Sequence, residues 1–149
     1  MIRKFLVSAL AVFAIAGVTV WAEDIKLDGV KCLVAPRPAS ADKSAEYKDG
    51  KVFFCCGNCA GKFAEDSAKF ATTANLQLVA TKQYEQKACP LSGGPLNADT
   101  AIKVGDVEVK FCCNNCKGKV ESTEGKAQLE LVFSEKAFEK AGFAKVATK

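Results

Sequence analysis

The amino-acid sequence predicts an α+β chain of two tandem small modules, each a β-hairpin followed by a short helix with a cysteine cluster. Three observations predict it. Cys32, Cys55, Cys56 and Cys59 recur as Cys89, Cys112, Cys113 and Cys116, every pair 57 residues apart. Aligned without a gap, residues 32–69 and 89–126 are identical at 14 of 38 positions, among them Val52/Val109, Phe54/Phe111, Asn58/Asn115, Gly61/Gly118 and Lys62/Lys119. Val107, Val109 and Phe111 alternate with Glu108 and Lys110 before the second cluster, whereas Phe63 and Phe70 lie seven apart after the first. All eight cysteines belong to the repeat. A duplication that keeps every thiol while most of its surroundings diverge points to the thiols as the reason for the unit.

The chain opens on a basic stretch, Met1 to Lys4, followed by a nearly unbroken apolar run from Phe5 to Val20. Val20-Trp21-Ala22 loosely fits a small-x-small cleavage site, so residues 1–22 read as a signal peptide. A retained anchor is the alternative, but it would usually be longer and flanked by charge on its stop-transfer side. The first module then spans 23–80 and the second 81–149, in a periplasmic or secreted protein with no membrane association after cleavage.

Within the first module, Lys26 to Val30 leads into Cys32, and a proline- and serine-containing loop follows from Pro36 to Ser40. Glu46-Tyr47 and Lys51 to Phe54 read as strands joined across Lys48-Asp49-Gly50, a tight hairpin signal. Cys55-Cys56-Gly57-Asn58-Cys59 follows directly, and Gly61 to Ala71 reads as a short helix. In the second module, Ala101 to Val104 and Val107 to Phe111 flank the turn Gly105-Asp106 and run into the second cluster. The matching helix from Gly118 is weaker, being interrupted by β-branched residues and Gly125. Gln77-Leu78-Val79 and Gln128 to Phe133 close the two halves. Ser134 to Lys140 reads as a terminal helix with a serine cap and Phe138 as its anchor.

A loop cysteine, a hairpin and a cysteine cluster where strand passes into helix form the element order of a treble-clef zinc module. Phe54-Cys55-Cys56-Gly57-Asn58-Cys59-Ala60-Gly61-Lys62-Phe63 resembles the Phe-Cys-x-x-x-Cys-x-x-x-Phe signature of the YHS and TRASH domain families. Cys89-Pro90-Leu91-Ser92-Gly93-Gly94 resembles the Cys-Pro-x-Cys-Gly opening of YHS modules. TRASH domains are proposed to bind metals in heavy-metal trafficking, resistance and sensing. The resemblance implies Cys32, Cys55 and Cys59 as one ligand set and Cys89, Cys112 and Cys116 as the other. The second knuckle cysteine of the YHS pattern is Ala35 in one half and Ser92 in the other. Each half carries an extra thiol instead, Cys56 or Cys113. Neighbouring residues on a strand point to opposite faces, so the extra thiol joins the site only if the backbone bends. With it, all eight cysteines are metal ligands, about one zinc or copper ion per module. Without it, three-coordinate sites suit Cu(I) or another soft ion.

Composition narrows the function classes. Histidine is absent, which removes serine–histidine and cysteine–histidine catalysis, histidine-ligated zinc and haem attachment. Removing 22 residues leaves 127, and losing Arg3 and Lys4 lowers the net charge from +4 to +2, so there is no electrostatic case for nucleic acid. Asp42/Asp99 and Asp49/Asp106 sit where turns favour aspartate, so no residue reads as catalytic. Lys51, Lys62, Lys110, Lys117 and Lys119 lie near the clusters, either offsetting thiolate charge or simply solvated. Two alternatives to metal stay open. An exported chain with four cysteines per half suits disulfides, especially as modules of ~55–60 residues bury little apolar surface. Adjacent cysteines, however, bridge only through a strained ring. Cys56–Cys59 and Cys113–Cys116 are also Cys-x-x-Cys pairs, although no βαβ pattern or helical context of the thioredoxin sort is visible. Metal binding is the preferred reading, by a protein that is not an enzyme and whose protein partners the sequence leaves open.

Overall fold

The computed structural model describes residues 25–147; the segment read as a signal peptide, 1–22, lies outside the described residues. Each half opens on a tight cysteine loop. The Cys32 amide donates to Arg37 O at 2.8 Å and the Cys89 amide to Gly94 O at 2.9 Å, positions 57 apart at both ends. The hairpins follow: β1 (Ser40–Tyr47) with β2 (Gly50–Phe54), and β4 (Asn97–Val104) with β5 (Val107–Phe111), both antiparallel. Val104 faces Val107 across Gly105-Asp106, and Gly105 takes the left-handed φ of +62° that this two-residue turn requires. Val107, Val109 and Phe111 are buried, so the alternation marks the core face as expected. The α+β class and the hairpin–cluster–helix order are as the sequence predicts.

The helices start earlier than the sequence suggests. Helix α1 spans Gly57–Glu65 and α3 spans Asn114–Glu121, so each begins immediately after the adjacent cysteine pair. The helix read over 61–71 is two elements. Asp66 leaves helical geometry and its carboxylate accepts the Lys69 amide at 3.2 Å, capping a separate 3₁₀ turn, Ala68–Phe70. An aspartate offering the backbone this alternative breaks the helix more effectively than Phe63 and Phe70 bridge it. The closing segments are helical too: α2 (Ala71–Ala80) and α4 (Gly125–Phe133). Helix α5 (Glu135–Lys140) has Ser134 at its N-cap, as expected, but the serine side chain makes no cap bond.

The two halves pack against each other. Helix α2 lies on α4, and the short strands β3 (Tyr84–Glu85) and β6 (Ala144–Lys145) pair antiparallel. Val52, Phe54, Leu78, Val104, Val109, Phe111, Val120, Val132 and Phe133 join one apolar cluster. Phe53, Phe54 and Phe63 are core; Phe63 stands 5.4 Å from Phe54 and 6.3 Å from the half-buried Phe70, centroid to centroid. Among the described residues, no helix is long and apolar enough to cross a membrane.

Candidate metal centres

The strand-to-helix junction bends the chain enough to gather the thiols. Strand β2 delivers Cys55, the bend exposes Cys56 as the N-cap residue of α1, and the first turn of α1 brings Cys59 back beneath them. The tight loop holds buried Cys32 against this group from the other side. Sulfurs of Cys32, Cys55 and Cys59 all lie within 4.8 Å of one another, and so do those of Cys89, Cys112 and Cys116. The Cys55–Cys59 and Cys112–Cys116 separations are both 3.7 Å. A tetrahedral thiolate–zinc centre with Zn–S of ~2.3 Å has an S···S edge of about 3.8 Å, whereas a disulfide is ~2.05 Å long. The donor set fits a thiophilic ion, and all eight cysteines are free.

Cys56 and Cys113 fall outside the mutual sets. Cys56 Sγ is nevertheless 3.8 Å from Cys55 Sγ and 3.6 Å from Cys59 Sγ, and Cys113 Sγ is 3.6 Å from Cys112 Sγ. The bend thus brings the extra thiols beside their clusters, on the exposed rim.

Backbone amides polarise the clusters. Burial raises the Cys32 thiol pKa, but the amides of Val34, Cys55 and Ala35 outweigh it and leave it lowered. Burial likewise opposes ionisation at Cys89, yet the Ser92 hydroxyl and the amides of Ser92, Cys112 and Leu91 bring it down to about 6. At the helix N-termini, the Cys59 amide lowers Cys56 and the Cys116 amide lowers Cys113, although neither sulfur closes a cap hydrogen bond. Cys59 and Cys116 go the other way, pushed up to about 12 by burial and by the neighbouring sulfurs. Each cluster therefore sets sulfurs whose ionisation is favoured against sulfurs whose ionisation is opposed, and a bound cation would displace the thiol protons. The lysines contribute less than their proximity in sequence suggests. Lys62 and Lys119 occupy the last turns of α1 and α3, at the carbonyl ends, while Lys110 and Lys117 pair with Glu108 and Glu121.

Sequence reasoning missed the residues that hold the clusters in place. Gln77 of α2 receives the Phe53 amide at 2.6 Å and donates to Phe53 O and Lys31 O at 3.0 and 2.9 Å. Gln86 receives the Lys110 amide at 2.9 Å and donates to Lys110 O and Ala88 O at 2.7 and 3.0 Å. Lys31 and Ala88 precede the loop cysteines; Phe53 and Lys110 stand two residues before Cys55 and Cys112. Each glutamine thus ties the loop cysteine to the strand cysteine, and each occupies a strand edge that would otherwise lack partners. No spacing signals them: one lies 24 residues after its strand partner, the other 24 before. Thr100 does similar work in the bulge of β4, accepting the Phe111 amide at 2.8 Å. The missing knuckle ligand also returns in part. Ser92 Oγ accepts the Gly94 amide at 3.1 Å and stands 3.1 Å from Cys112 Sγ, where Ala35 offers the first cluster nothing.

Compared with protein-family models, curated proteins and solved structures, the chain matches none.

Proposed function

We propose that the protein is an exported, non-enzymatic metal-binding protein that holds one soft ion, zinc or Cu(I), in each cysteine cluster for sequestration or trafficking. The observation that carries this reading is the repeated triad: two sets of three sulfurs, each within 4.8 Å, in the same place relative to the same elements. Duplicated structure around duplicated thiols suits duplicated cargo. The resemblance to YHS and TRASH modules supports the same conclusion. Loss of the knuckle cysteine leaves fewer protein ligands than a closed structural zinc site uses, which favours exchangeable cargo over a permanent staple.

Protein purified under mild conditions is expected to carry close to two ions per chain, measured by elemental analysis beside a thiol assay. Protein with neither metal nor free thiol would be a disulfide scaffold. N-terminal sequencing of exported material tests the leader, with Glu23 expected first.

One observation favours a second reading. The sequence shows no helical Cys-x-x-Cys context, but the structure supplies one: Cys56 caps α1 on the surface with a lowered pKa, and Cys59 lies buried in the first turn with a raised one. That pairing suits thiol–disulfide exchange, with two electrons and two protons passing to an external disulfide. Readily reversible Cys56–Cys59 oxidation in metal-free protein, together with failure to retain added Zn²⁺, would favour it.

A further inference from the structure

The second cluster places its rim sulfur beside Cys112, and the first contains two overlapping triads. Cys55 and Cys59, 3.7 Å apart, are common to both. Buried Cys32 completes the inner triad. Exposed Cys56, 3.8 and 3.6 Å from the shared sulfurs, completes an outer one. In the second half, exposed Cys113 lies 3.6 Å from Cys112, which is 3.7 Å from Cys116. The rim cysteines share one backbone conformation, φ −160° with ψ 166° and 165°, so the repeat has kept the presentation as well as the residue. A helix N-cap normally spends its side chain on an amide. These two close no cap bond, which leaves their sulfurs free to engage something else.

We propose that Cys55–Cys56–Cys59 and Cys112–Cys113–Cys116 are entry and exit stations for a thiophilic cation that the inner triads retain. The proposal rests on the metal-binding reading above. The rim cysteine is the most exposed of each cluster, Cys55, Cys112 and Cys116 being half-buried; Cys32 is 7% accessible and Cys89 0%, so these two do not meet an ion or a partner's thiolate from solvent first. Cargo arrives on the outer three sulfurs. Cys32 then replaces Cys56: one sulfur–cation bond forms, one breaks, and the two shared sulfurs stay bound. Thiolate is exchanged for thiolate, with no change in oxidation state or total charge. The reverse step presents the ion to an acceptor thiolate at the surface. Keeping two bonds throughout makes the transfer intramolecular and avoids releasing a bare ion.

The test uses the purified chain under a phosphine reductant, loaded with Zn²⁺, and follows transfer to a chromophoric zinc chelator by stopped flow. Serine is a favoured N-cap, so Cys56→Ser with Cys113→Ser should leave the fold intact, checked by circular dichroism. This double variant is expected to keep two ions but exchange them about tenfold more slowly, having lost a third sulfur that acts at millimolar effective concentration. The complementary Cys32→Ser, Cys89→Ser variant is expected to exchange faster than the native chain. An unchanged rate in the rim variant would overturn the entry role. Complete loss of its ions would also overturn it, making Cys56 and Cys113 holding ligands of four-thiolate sites. A native chain that retains neither Zn²⁺ nor Cu(I) would instead defeat the metal-binding reading itself, an outcome visible before any variant is made.

Discussion

At the scale of single residues, the clusters depend on side chains that are not thiols. Gln77 is 3% accessible and serves three backbone groups, so Gln77→Leu leaves the buried Phe53 amide and carbonyl, and the half-buried Lys31 carbonyl, without this partner. An orphaned buried polar group costs about 1–3 kcal/mol, so the variant is expected to lose about 3 kcal/mol or more in urea unfolding. Gln77→Glu keeps the acceptor but places a charge there, and should not rescue it. Ser92 makes the two clusters chemically unequal, because its hydroxyl touches Cys112 and Ala35 has no counterpart. Partners of this kind orient metal ligands, and losing one typically weakens binding about tenfold or more. Ser92→Ala is therefore expected to bring the affinities of the two sites together in a chelator competition titration. Equal affinities in the native chain would remove the hydroxyl from consideration.

At the scale of elements, the tie between the first hairpin and α5 is electrostatic and should respond to pH. The Glu135 carboxylate accepts hydrogen bonds from Tyr47 Oη at 2.6 Å, Lys48 Nζ at 2.8 Å and Asn75 Nδ2 at 3.1 Å. Burial works against its ionised form, but Lys48, Tyr47 and Asn75 outweigh burial and hold its pKa below the usual carboxylate range. A carboxylate whose pKa is depressed on folding contributes stability above its unfolded pKa of ~4.3 and loses it as pH falls through the lower folded value. Glu135→Gln should therefore destabilise the chain more at pH 7 than at pH 3. Urea titrations of both proteins in the same metal state at the two pH values measure this. An equal deficit at both would mean that Glu135 acts through packing. Lys48 itself stands in the turn between β1 and β2 at a left-handed φ of +53° that side chains rarely adopt.

At the scale of the whole molecule, the shared core decides how the chain unfolds. Leu78 and Phe54 of the first half and Val132 and Phe133 of the second belong to one apolar cluster, and α2 packs on α4, with Ala74 of α2 and Val132 of α4 fully buried. Asn75 of α2 adds a bond to Phe133 O at 2.9 Å. Fragments 23–80 and 81–149 would each expose half of that interface. Each is expected to be largely unfolded alone by circular dichroism, and a fragment with native-like melting would show that the halves fold independently. Thiolate–zinc sites contribute about 10–16 kcal/mol of apparent binding free energy near neutral pH, comparable to a domain's whole stability of about 5–15 kcal/mol. Stripping the metal with a chelator plus mild reductant is accordingly expected to lower the melting temperature of both halves together, in one transition. Two separated transitions would contradict a single core.

The repeat and the hairpin before each cluster are legible in the sequence because they follow from local signals, whereas the inner thiol triads were implied only by the resemblance to YHS and TRASH modules. An offset of 57 survives divergence, β-alternation marks the buried face of Val107, Val109 and Phe111, and turn residues fix the hairpins. The helix boundaries escaped it, since Asp66 reads as one more polar residue until its carboxylate is seen capping the next turn. Whether Cys56 converges on its neighbours could not be read either, for adjacency in sequence leaves open a bend that only the strand-to-helix junction sets. Gln77 and Gln86 were invisible because their partners are backbone groups, which every residue carries and no spacing advertises. The tertiary structure alone decided that the halves share a core and that the rim cysteines stand beside, rather than within, the inner triads. Both depend on contacts between elements distant in the chain, which burial and geometry select and local sequence does not encode.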